Sequence, residues 1–565
     1  MPAGCSSPRV SGRPSVREKN LEALASRNPL LESRLRKAAP DARIIHVPSR
    51  TGERVPCLRG PDHPFPLHSL VDPVREGERM AATVEGAGYV VALGLGGGFH
   101  LRPLLTQACL AAVLVIEKDP GTLAALFDGC DLRDVLLDPR VTIAAGDDLA
   151  QIEVLLLSTY APLLAGSLRT LTLRSWCEKE KPFFESASDA LRAAVETVSA
   201  DVGTQAHFGK RWFANILGNM PRAERACFQP RRFDEALVTA AGPSLEDQMA
   251  DIARRQGEAL LVATDTSLPA LGSRSIRPDV VLSIDCQQYS YNHFMGGLPQ
   301  GATLLLDLAS PPQLARGMPR HAFFASAHPL CRFLSRRWRS FAAVDTSGGN
   351  VAHAAVSLAA RMGAARIFLY GADFSCPHGK PYARGTYQYE VLGCRATRIT
   401  PLETSLYAFL FRAGGPIRER SAGGLLYTTP LLLSYRRNLQ RLSAEIGADV
   451  VAAQGAGLDL GLARGSGQPA EAWPSSDARC GWREFLDEYG RGLRALSPAR
   501  QPPAGWFAAL SDGEKELWAT ILPIAATVLR EMSGPEGEAL EGARAWALER
   551  ISRALSENNP GVPDK

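Results

Sequence analysis

Residues 347–374 read SGGNVAHAAVSLAARMGAARIFLYGADF and contain the pattern that decides the fold. A glycine-rich turn at its start precedes a stretch of helical spacing, residues 351–362, and an apolar run, residues 366–373, follows. That run ends on Asp373. A turn, a helix and a strand-sized apolar run in this order are typical of the βαβ units that build a parallel sheet.

Apolar runs of the same kind recur on both sides of this stretch. In the central region they are ALVTAA (236–241), ALLVATD (259–265), VVLSID (280–285), ATLLLD (302–307), AFFASA (322–327) and ADVVAA (448–453). Further upstream they are YVVALGL (89–95), AAVLVIE (111–117) and VTIAAG (141–146). Because helical stretches separate them, the sequence predicts an α/β protein with two Rossmann-like, doubly wound units.

The same patterns divide the chain into six predicted segments. They are an N-terminal arm and helix (1–40), an N-terminal Rossmann-like domain (41–165), a helical connector (166–228), a central α/β domain (229–460), a linker (461–480) and a helical C-terminal region (481–565). The Gly, Ser, Pro and Ala content of residues 465–476 favours a flexible centre for the linker.

Composition narrows the classes of partner. The 565 residues carry 63 Lys and Arg against 59 Asp and Glu, a net charge of +4, which gives no strong electrostatic case for a nucleic-acid or membrane partner. No run approaches the ~18 apolar residues of a membrane span, and the first 20 residues lack the apolar segment of a secretory signal. Eleven cysteines occur without paired CxxC spacing, so we expect reduced thiols, no structural zinc and a cytoplasmic location. No oligomeric state is indicated.

Acidic residues stand where the predicted central strands end. Four runs finish on aspartate and a fifth aspartate follows the sequence FAAV; the five are Asp265, Asp285, Asp307, Asp373 and Asp345. Ligands of open α/β sheets bind outside the carboxyl ends of the strands, and Thr266 adds a hydroxyl there. Clustered carboxylates repel unless a cation, ribose hydroxyls or backbone donors offset their charge, although one or two can simply cap helices.

Two glycine turns precede predicted helices. In the first glycine turn (242–244), Gly242 permits close backbone approach, Pro243 suits a first helical turn, and Ser244 can donate to a phosphate. It is not a Walker motif, because no Lys follows at the required spacing. The second glycine turn (346–350) contributes the set Ser347, Gly348, Gly349 and Asn350. Together the two turns predict a nucleotide-binding cradle.

The segment FSCPHGKPYARGTYQYE, residues 374–390, follows the last of these acids and is named the lid segment. His378 is the candidate general base, because its ordinary pKa lies near neutrality; the alternative is an exposed loop histidine. Lys380, Tyr382 and Arg384 are groups that bind anions or sugars. The length of the segment favours a lid over the site.

A further glycine loop lies in the first α/β unit. Gly94, Gly96 and Gly98 follow a predicted strand, and Glu117 ends the next strand. This pattern suits a second nucleotide site and resembles the glycine-rich loop of S-adenosylmethionine methyltransferases. The alternative is a tight turn of a doubly wound fold that holds no ligand.

Several stretches, in order, resemble one family. GPSL (242–245), ATDTSLPAL (263–271), RPDVVLSID (277–285) and residues 347–374 resemble the MptE-like (DUF115) family. It includes the flagellar motility accessory factors and archaeal 6-hydroxymethylpterin diphosphokinase-like proteins. GLGGGFH (94–100) and FGKRWFANILGNM (208–220) resemble the longer accessory factors. The resemblance covers roughly residues 20–460.

The resemblance implies a core related to bacterial sialyltransferases that use CMP-activated sugars. It implies a transferase that moves a nonulosonic acid from a nucleotide-sugar donor, a CMP-sugar, to Ser or Thr of flagellin or another protein. Gly242, Pro243 and Ser244 match the nucleotide-side turn, Asp285 the strand-end acid, and residues 347–349 the second turn. Ala241 departs from the Asn that the sialyltransferases have before Gly-Pro-Ser.

The roles expected on this basis are specific. His378 and Asp373 are the expected catalytic residues, with His378 accepting the proton of the acceptor hydroxyl. Asp265 and Asp285 would fix ribose or a cation, and the basic residues of the lid segment would neutralise the donor's carboxylate or phosphate. Two alternatives stay open: ATP-dependent diphosphate transfer to a pterin with Mg²⁺, and a non-catalytic flagellin-binding chaperone.

Overall fold

The computed structural model describes residues 14–146, 149–412, 415–421, 424–465, 473–474, 477–500, 503–532 and 535–557. The described residues divide into two units. Unit 1 takes them from Met1–His207, Ser497–Lys515 and Ala525–Ala543, and unit 2 from Phe208–Leu496, Glu516–Ile524 and Arg544–Lys565. The N-terminal arm up to residue 13 and most of the predicted flexible linker centre lie outside the described residues.

Unit 1 is built on a parallel sheet. Its strands are β1 (Ile44–Pro48), β2 (Arg54–Leu58), β3 (Phe65–Pro66), β4 (Tyr89–Leu93), β5 (Ala112–Glu117), β6 (Val141–Ala145) and β7 (Leu168–Thr172). Its helices are α1 (Val16–Ala25), α2 (Pro29–Lys37), α3 (Pro73–Ala82), α4 (Leu101–Leu105), α5 (Pro120–Gly129), α6 (Arg133–Leu137), α7 (Ala150–Thr159), α8 (Pro162–Ala165) and α9 (Arg174–Lys179). The parallel order is β6-β5-β4-β7, and β1-β2-β3 form a small antiparallel sheet.

The long helix α10 (Lys181–Ala223) begins in unit 1 and ends in unit 2. The strands of unit 2 are β8 (Glu235–Thr239), β9 (Leu260–Thr264), β10 (Val280–Ser283), β11 (Thr303–Asp307), β12 (His321–Phe324), β13 (Arg366–Tyr370), β14 (Cys376–Pro377), β15 (Ile417–Ser421), β16 (Gly424–Thr428) and β17 (Asp449–Ala452). Its helices up to residue 445 are α11 (Leu245–Arg255), α12 (Leu268–Gly272), the 3₁₀ helix Gln288–Phe294, α13 (Pro312–Gly317), α14 (Pro329–Arg337), α15 (Val351–Arg361), α16 (Tyr387–Cys394), α17 (Leu402–Phe411) and α18 (Pro430–Glu445).

The C-terminal region is helical, as expected. Its helices are α19 (Trp482–Ala495), α20 (Pro503–Ala509), α21 (Asp512–Glu531) and α22 (Glu536–Glu557), and they contribute to both units. Within the described ranges, no helix combines the length and the apolar composition needed to cross a membrane.

The central sheet of unit 2 has a topological switch point. Its strand order is β12-β11-β10-β9-β8-β13-β17, and all neighbours are parallel. The chain therefore moves outward from β8 to β12 and then returns to β13 on the other side of β8. Ligands of doubly wound sheets bind at such a point, outside the carboxyl ends of the strands. The predicted doubly wound α/β fold is confirmed.

Local structure differs from expectation in three places. Residues 168–172 (LRTLT) form the edge strand β7 beside β4, so strand structure extends into the expected helical connector. The predicted N-terminal helix is two helices separated at Asn28, which caps α2 through Leu31 N. The lid segment contains β14 and the start of α16, and β14 joins the antiparallel sheet β14-β16-β15.

Side-chain amides of α10 hold that helix against the carboxyl ends of the central strands. Buried Asn219 donates from Nδ2 to the carbonyl oxygens of Leu308 (2.9 Å) and Ser310 (2.8 Å). Asn215 donates to the carbonyl oxygens of residues 286 and 309. Buried carbonyl groups require such partners, so these amides fix the turns that follow β10 and β11.

Replacing Asn219 by Ala should lower the free energy of unfolding by about 2 kcal/mol, because two carbonyl oxygens lose a donor. The measurement is the urea midpoint followed by circular dichroism. Gln313→Ala, which removes an exposed amide on α13, is the control and should change the free energy by less than about 0.5 kcal/mol. Equal midpoints for the two variants would contradict the role given to Asn219.

Candidate functional site

The first glycine turn is joined directly to the end of β13. Ser244 donates from its backbone N to Asp373 Oδ2 (3.0 Å) and from its hydroxyl to Oδ1. A Cβ at Gly242 would overlap the Asp373 carboxylate, so only glycine permits this approach. Burial raises the pKa of Asp373, and the hydrogen bonds from Ser244 oppose that rise. The donors predicted to meet a phosphate therefore already hold a carboxylate.

A cavity of about 400 Å³ opens beside this junction, at the carboxyl ends of β13 and β17. Its wall includes Ser244, Asp373, Arg420 and Arg436, together with residues of the turn 453–460. Within the described part of the chain, the buried Nε of Arg436 has no hydrogen-bond partner. Two guanidinium groups on one wall suit an anionic ligand.

The acids after β9 and β10 lie together but differ in environment. Asp265 is buried and accepts from Thr266 N (2.7 Å) and from the Ser283 hydroxyl (2.6 Å). Asp285 is half-buried and accepts from Gln287 N (2.9 Å). Burial, and then the charge of Asp265, raise the pKa of Asp285. Asp285 is consequently the acid of this pair that remains open to a ligand.

The second glycine turn is organised by Asp345. Its carboxylate accepts from Ser347 N (2.8 Å) and contacts His353 Nε2 at 2.9 Å. Burial opposes ionisation of Asp345, but the hydrogen bonds from His353 and Ser347 hold its pKa below the ordinary value. Asn350 caps α15 by accepting from His353 N (3.0 Å). Ser347 and Gly349 remain exposed on the outside of the turn.

The lid segment is tied to the first turn of α11 by one carboxylate. Glu246 Oε1 accepts from Lys380 Nζ (2.6 Å) and from the backbone N of Arg384 (2.7 Å). Tyr382 is largely buried, and that burial raises its pKa. His378 is exposed at positive φ, and its imidazole makes no hydrogen bond among the described residues. Of the predicted lid groups, His378 and Arg384 therefore have exposed side chains, and Lys380 is the one held closely by Glu246.

Asp307, which ends β11, belongs to the core. It is buried and accepts through Oδ1 from Ala309 N (3.1 Å) and from the Ser326 hydroxyl (3.2 Å). Burial raises its pKa to about 6, although these hydrogen bonds oppose the rise. It follows that not every strand-end acid serves the candidate site.

The donor set for a metal ion is small. Among the residues that the structure describes, no three His, Cys, Asp or Glu side chains are grouped to hold one. Mg²⁺ usually takes one or two protein carboxylates and completes its coordination with substrate phosphates and water. Asp285 is the residue available for that arrangement, because the oxygens of Asp265 are already hydrogen-bonded.

The N-terminal glycine loop of unit 1 is packed against protein side chains. Glu117 is fully buried and accepts from Leu95 N (2.8 Å), Lys118 N (2.8 Å) and Trp176 Nε1 (2.6 Å). Burial raises its pKa, and these three donors oppose the rise. At Gly96, whose φ is +49°, a Cβ would overlap His68. Trp176 likewise lies against Gly94, and Leu132 against Gly98.

The structure thus brings two groups of the predicted site residues together. Residues 242–244 meet Asp373, and Asp265 and Thr266 lie beside Asp285. Arg420, Arg436 and the turn 453–460 were not predicted as site residues. The available signal was QGAG (454–457), a glycine turn that directly follows the last strand in the same way as the two recognised turns.

Comparisons with known proteins agree with this architecture. Residues 213–379 match the family model described as 6-hydroxymethylpterin diphosphokinase MptE-like. A Maf glycosyltransferase from Magnetospirillum magneticum AMB-1 has a similar structure, with a TM-score of 0.56 over 96% of this chain and 95% of that chain. At 16% identity, the likeness shows a shared fold.

Two uncharacterized proteins of Treponema pallidum (strain Nichols) are similar in sequence. One is 35% identical over 156 residues, 27% of this chain, and the other 29% identical over 177 residues, 28% of this chain. The chain spans 55% of the length of the first relative and 78% of the second.

The chain is thus an α/β protein with the fold of a Maf glycosyltransferase. Within that fold, residues 213–379 form an MptE-like segment. The resemblance predicted from the sequence is confirmed at this level.

Replacing Glu117 by Gln should destabilise unit 1 by about 1–3 kcal/mol, because an amide nitrogen would face at least one of three N–H donors. The melting temperature is the measurement, and Glu178→Gln, at an exposed position of α9, is the control. A Glu117→Gln variant that melts like the control would contradict a structural role for this acid.

Replacing Asp307 by Asn should change the pH dependence of stability. A folded-state pKa of about 6 means that the folded protein binds a proton between about pH 4 and pH 6 that the unfolded chain has released, so wild-type stability falls as pH rises through this window. The variant has no ionisable carboxyl at position 307, so its stability does not fall in this window for this reason. The stability of Asp307→Asn relative to wild type should therefore increase by up to about 3 kcal/mol from pH 4 to pH 7. A difference that does not vary with pH would contradict the assignment.

Proposed function

We propose that this chain is a glycosyltransferase that moves a nucleotide-activated nonulosonic acid, from a CMP-sugar donor, to Ser or Thr of flagellin or another protein acceptor, in the cytoplasm. The observation that carries the proposal is the cavity beside the first glycine turn, lined by Ser244, Asp373, Arg420 and Arg436, in which the buried Nε of Arg436 has no hydrogen-bond partner among the described residues. The Maf glycosyltransferase fold supports the reaction class.

In this proposal, arginines bind the anionic groups of the nucleotide-sugar donor and an aspartate binds its ribose. Arg420 and Arg436 line the cavity and would pair with the donor's carboxylate or phosphate. Asp285, which is half-buried after β10 and accepts from Gln287 N, would also accept from ribose hydroxyls. Lys380 and Arg384 were both expected to neutralise the donor. The Lys380 ammonium and the Arg384 backbone N are bound to Glu246 and hold the lid segment in place in this proposal, while the exposed Arg384 guanidinium keeps the expected role.

The transfer step uses the exposed histidine of the lid segment. The acceptor hydroxyl oxygen attacks the anomeric carbon of the sugar while the bond from that carbon to the phosphate oxygen breaks. The nucleotide monophosphate leaves with the electron pair, and His378 takes the hydroxyl proton. Asp373, expected to be catalytic, acts through its hydrogen bonds to Ser244 and is a positioning residue in this scheme.

A protein acceptor fits the surface of the insertion between β13 and α18. Large apolar side chains are exposed along it at Ile399, Tyr407, Phe411, Ile417 and Leu425, and Leu431 is exposed at the start of α18. Arg420, on β15 of the same insertion, lines the cavity. Exposed apolar residues concentrated in one segment are typical of protein interaction sites. An acceptor bound to this insertion would therefore lie beside the donor cavity.

The MptE-like match favours a second candidate, diphosphate transfer from ATP to a pterin alcohol. In that reaction Mg²⁺ neutralises phosphate charge, and Asp285 is the residue that would hold it with the phosphates. The two candidates differ in donor and in metal requirement.

One set of assays separates the candidates. Purified protein is incubated with CMP-nonulosonic acid and flagellin, and separately with ATP, Mg²⁺ and 6-hydroxymethylpterin, and the products are identified by mass spectrometry. We expect a sugar mass on flagellin Ser or Thr and no pterin diphosphate. Pterin diphosphate that disappears with EDTA would establish the second candidate. Flagellin binding without either product, together with unmodified flagellin in cells, would establish the chaperone alternative.

Replacing Arg436 by Ala should raise the KM for the nucleotide-sugar donor by at least about tenfold with little change in kcat, because a ground-state contact to the donor's anion is lost. Arg437→Ala, at the next and exposed position of α18, is the matched control and should leave both parameters unchanged. Equal effects of the two substitutions would exclude Arg436 as a donor contact.

A further inference from the structure

A second cavity of unit 2 lies at the opposite edge of the central sheet. It has a volume of about 1120 Å³ and is bounded by the first residues of four strands, Leu260, Val280, Thr303 and His321. The chain after α10 and the start of α19 form the other walls. Strands of four or five residues place this edge about 16 Å from the strand-end acids.

Arginines dominate the wall of this cavity, to which Arg222, Arg225, Arg231, Arg320 and Arg483 all contribute. Asp279 is the one carboxylate among the lining residues, and its Oδ2 already accepts from Leu261 N (2.9 Å). Arg225, Arg231 and Arg320 form no ion pair or side-chain hydrogen bond within the described part of the chain. Asp279 is thus the one carboxylate set against five arginines in the lining of this cavity, and none of these three arginines is paired with it.

Two arginines at or near this cavity have buried guanidinium nitrogens that make no hydrogen bond within the described ranges. Arg339 is 5% exposed and donates to the carbonyl oxygen of Ala226, while its Nε and Nη1 have no partner among the described residues. Ala226 and Phe228 line both this cavity and the small one that contains Arg339. Arg483 donates from Nη1 to Leu555 O (2.9 Å), but its buried Nη2 has no partner in the described ranges. A buried cation without partners is costly unless an anion is bound nearby.

We infer that this amino-edge cavity, lined by Arg222, Arg225, Arg231, Arg320 and Arg483, binds a ligand that carries a chain of phosphates. The planar guanidinium fork matches phosphate oxygens two at a time, which a lysine ammonium does not. The cavity volume is of the size that holds a nucleotide-sized molecule.

Phosphates fit this charge density better than a peptide does. Each terminal phosphate group carries nearly two charges at neutral pH, so a compact oligophosphate places several negative charges within one cavity. An acidic peptide carries one charge per residue and also loses conformational freedom when it binds. The site is separate from the donor cavity, because it lies at the amino ends of the strands.

The experiment is calorimetric titration of the full chain with inorganic triphosphate and, separately, with ATP, at two salt concentrations. The double variant Arg225→Ala/Arg320→Ala is compared with Arg274→Ala/Arg332→Ala, which removes the same charge from exposed positions outside the cavity. We expect salt-sensitive binding that weakens at least about tenfold in the first double variant and less than about twofold in the second. Arg436→Ala should leave triphosphate binding unchanged.

Each outcome has a defined meaning. ATP binding that exceeds triphosphate binding supports a nucleotide as the source of the phosphates, and equal binding supports the phosphate chain alone. Absence of binding overturns the inference, as does equal weakening in the two double variants or loss of binding in Arg436→Ala. Binding of a poly-glutamate peptide without binding of triphosphate would overturn the class of ligand. Unchanged melting temperatures of the variants exclude misfolding as the cause.

Discussion

The carboxylate of Asp373 holds together three strand ends of the central sheet. It accepts both donors of Ser244, which follows β8, and it stands at the end of β13. Ser244 in turn accepts from Ala456 N (2.8 Å) in the turn after β17. A Cβ at Gly242 or Gly457 would overlap Asp373, so both glycines are needed for the three turns to meet. The walls of the donor cavity depend on this meeting, since all three turns contribute to them.

This arrangement changes how the site can bind an anion. One backbone N–H of each glycine turn is committed to a protein carboxylate, Ser244 N to Asp373 and Ser347 N to Asp345. A negatively charged donor therefore also needs positive partners outside these turns. Arg420 supplies one from β15, within the insertion after β13, and Arg436 supplies another from α18, which follows the insertion. The insertion thus completes a site that the doubly wound sheet alone does not provide.

Much of the fold can be predicted from local sequence patterns, but the hydrogen-bond partners of individual side chains cannot. The apolar runs predicted the strands of both parallel sheets except β7, because a strand buried on both faces is nearly continuous in apolar residues. The aspartates at the strand ends could also be recognised in the sequence, but their environments in the structure differ. Asp307 is buried in the core, Asp285 is half-exposed, and Asp373 is hydrogen-bonded to Ser244. Burial and pairing depend on segments distant in the sequence, and no local pattern contains that information. The same limit applies to Glu117, whose partner Trp176 lies 59 residues away.

Charged groups gather at both edges of the central sheet, and the charges at each edge have to be balanced locally. The edges are about 16 Å apart, about twice the screening length of ~8 Å at physiological salt, so arginines at one edge do little for acids at the other. At the carboxyl edge, hydroxyl and backbone donors offset the acids within the protein, as Ser283 and Thr266 do for Asp265. At the amino edge, Arg225, Arg231 and Arg320 have no such partner among the described residues. The arginines are brought together only in the folded protein, so an anion that binds them binds the folded state and not the unfolded chain. Such an anion stabilises the folded state.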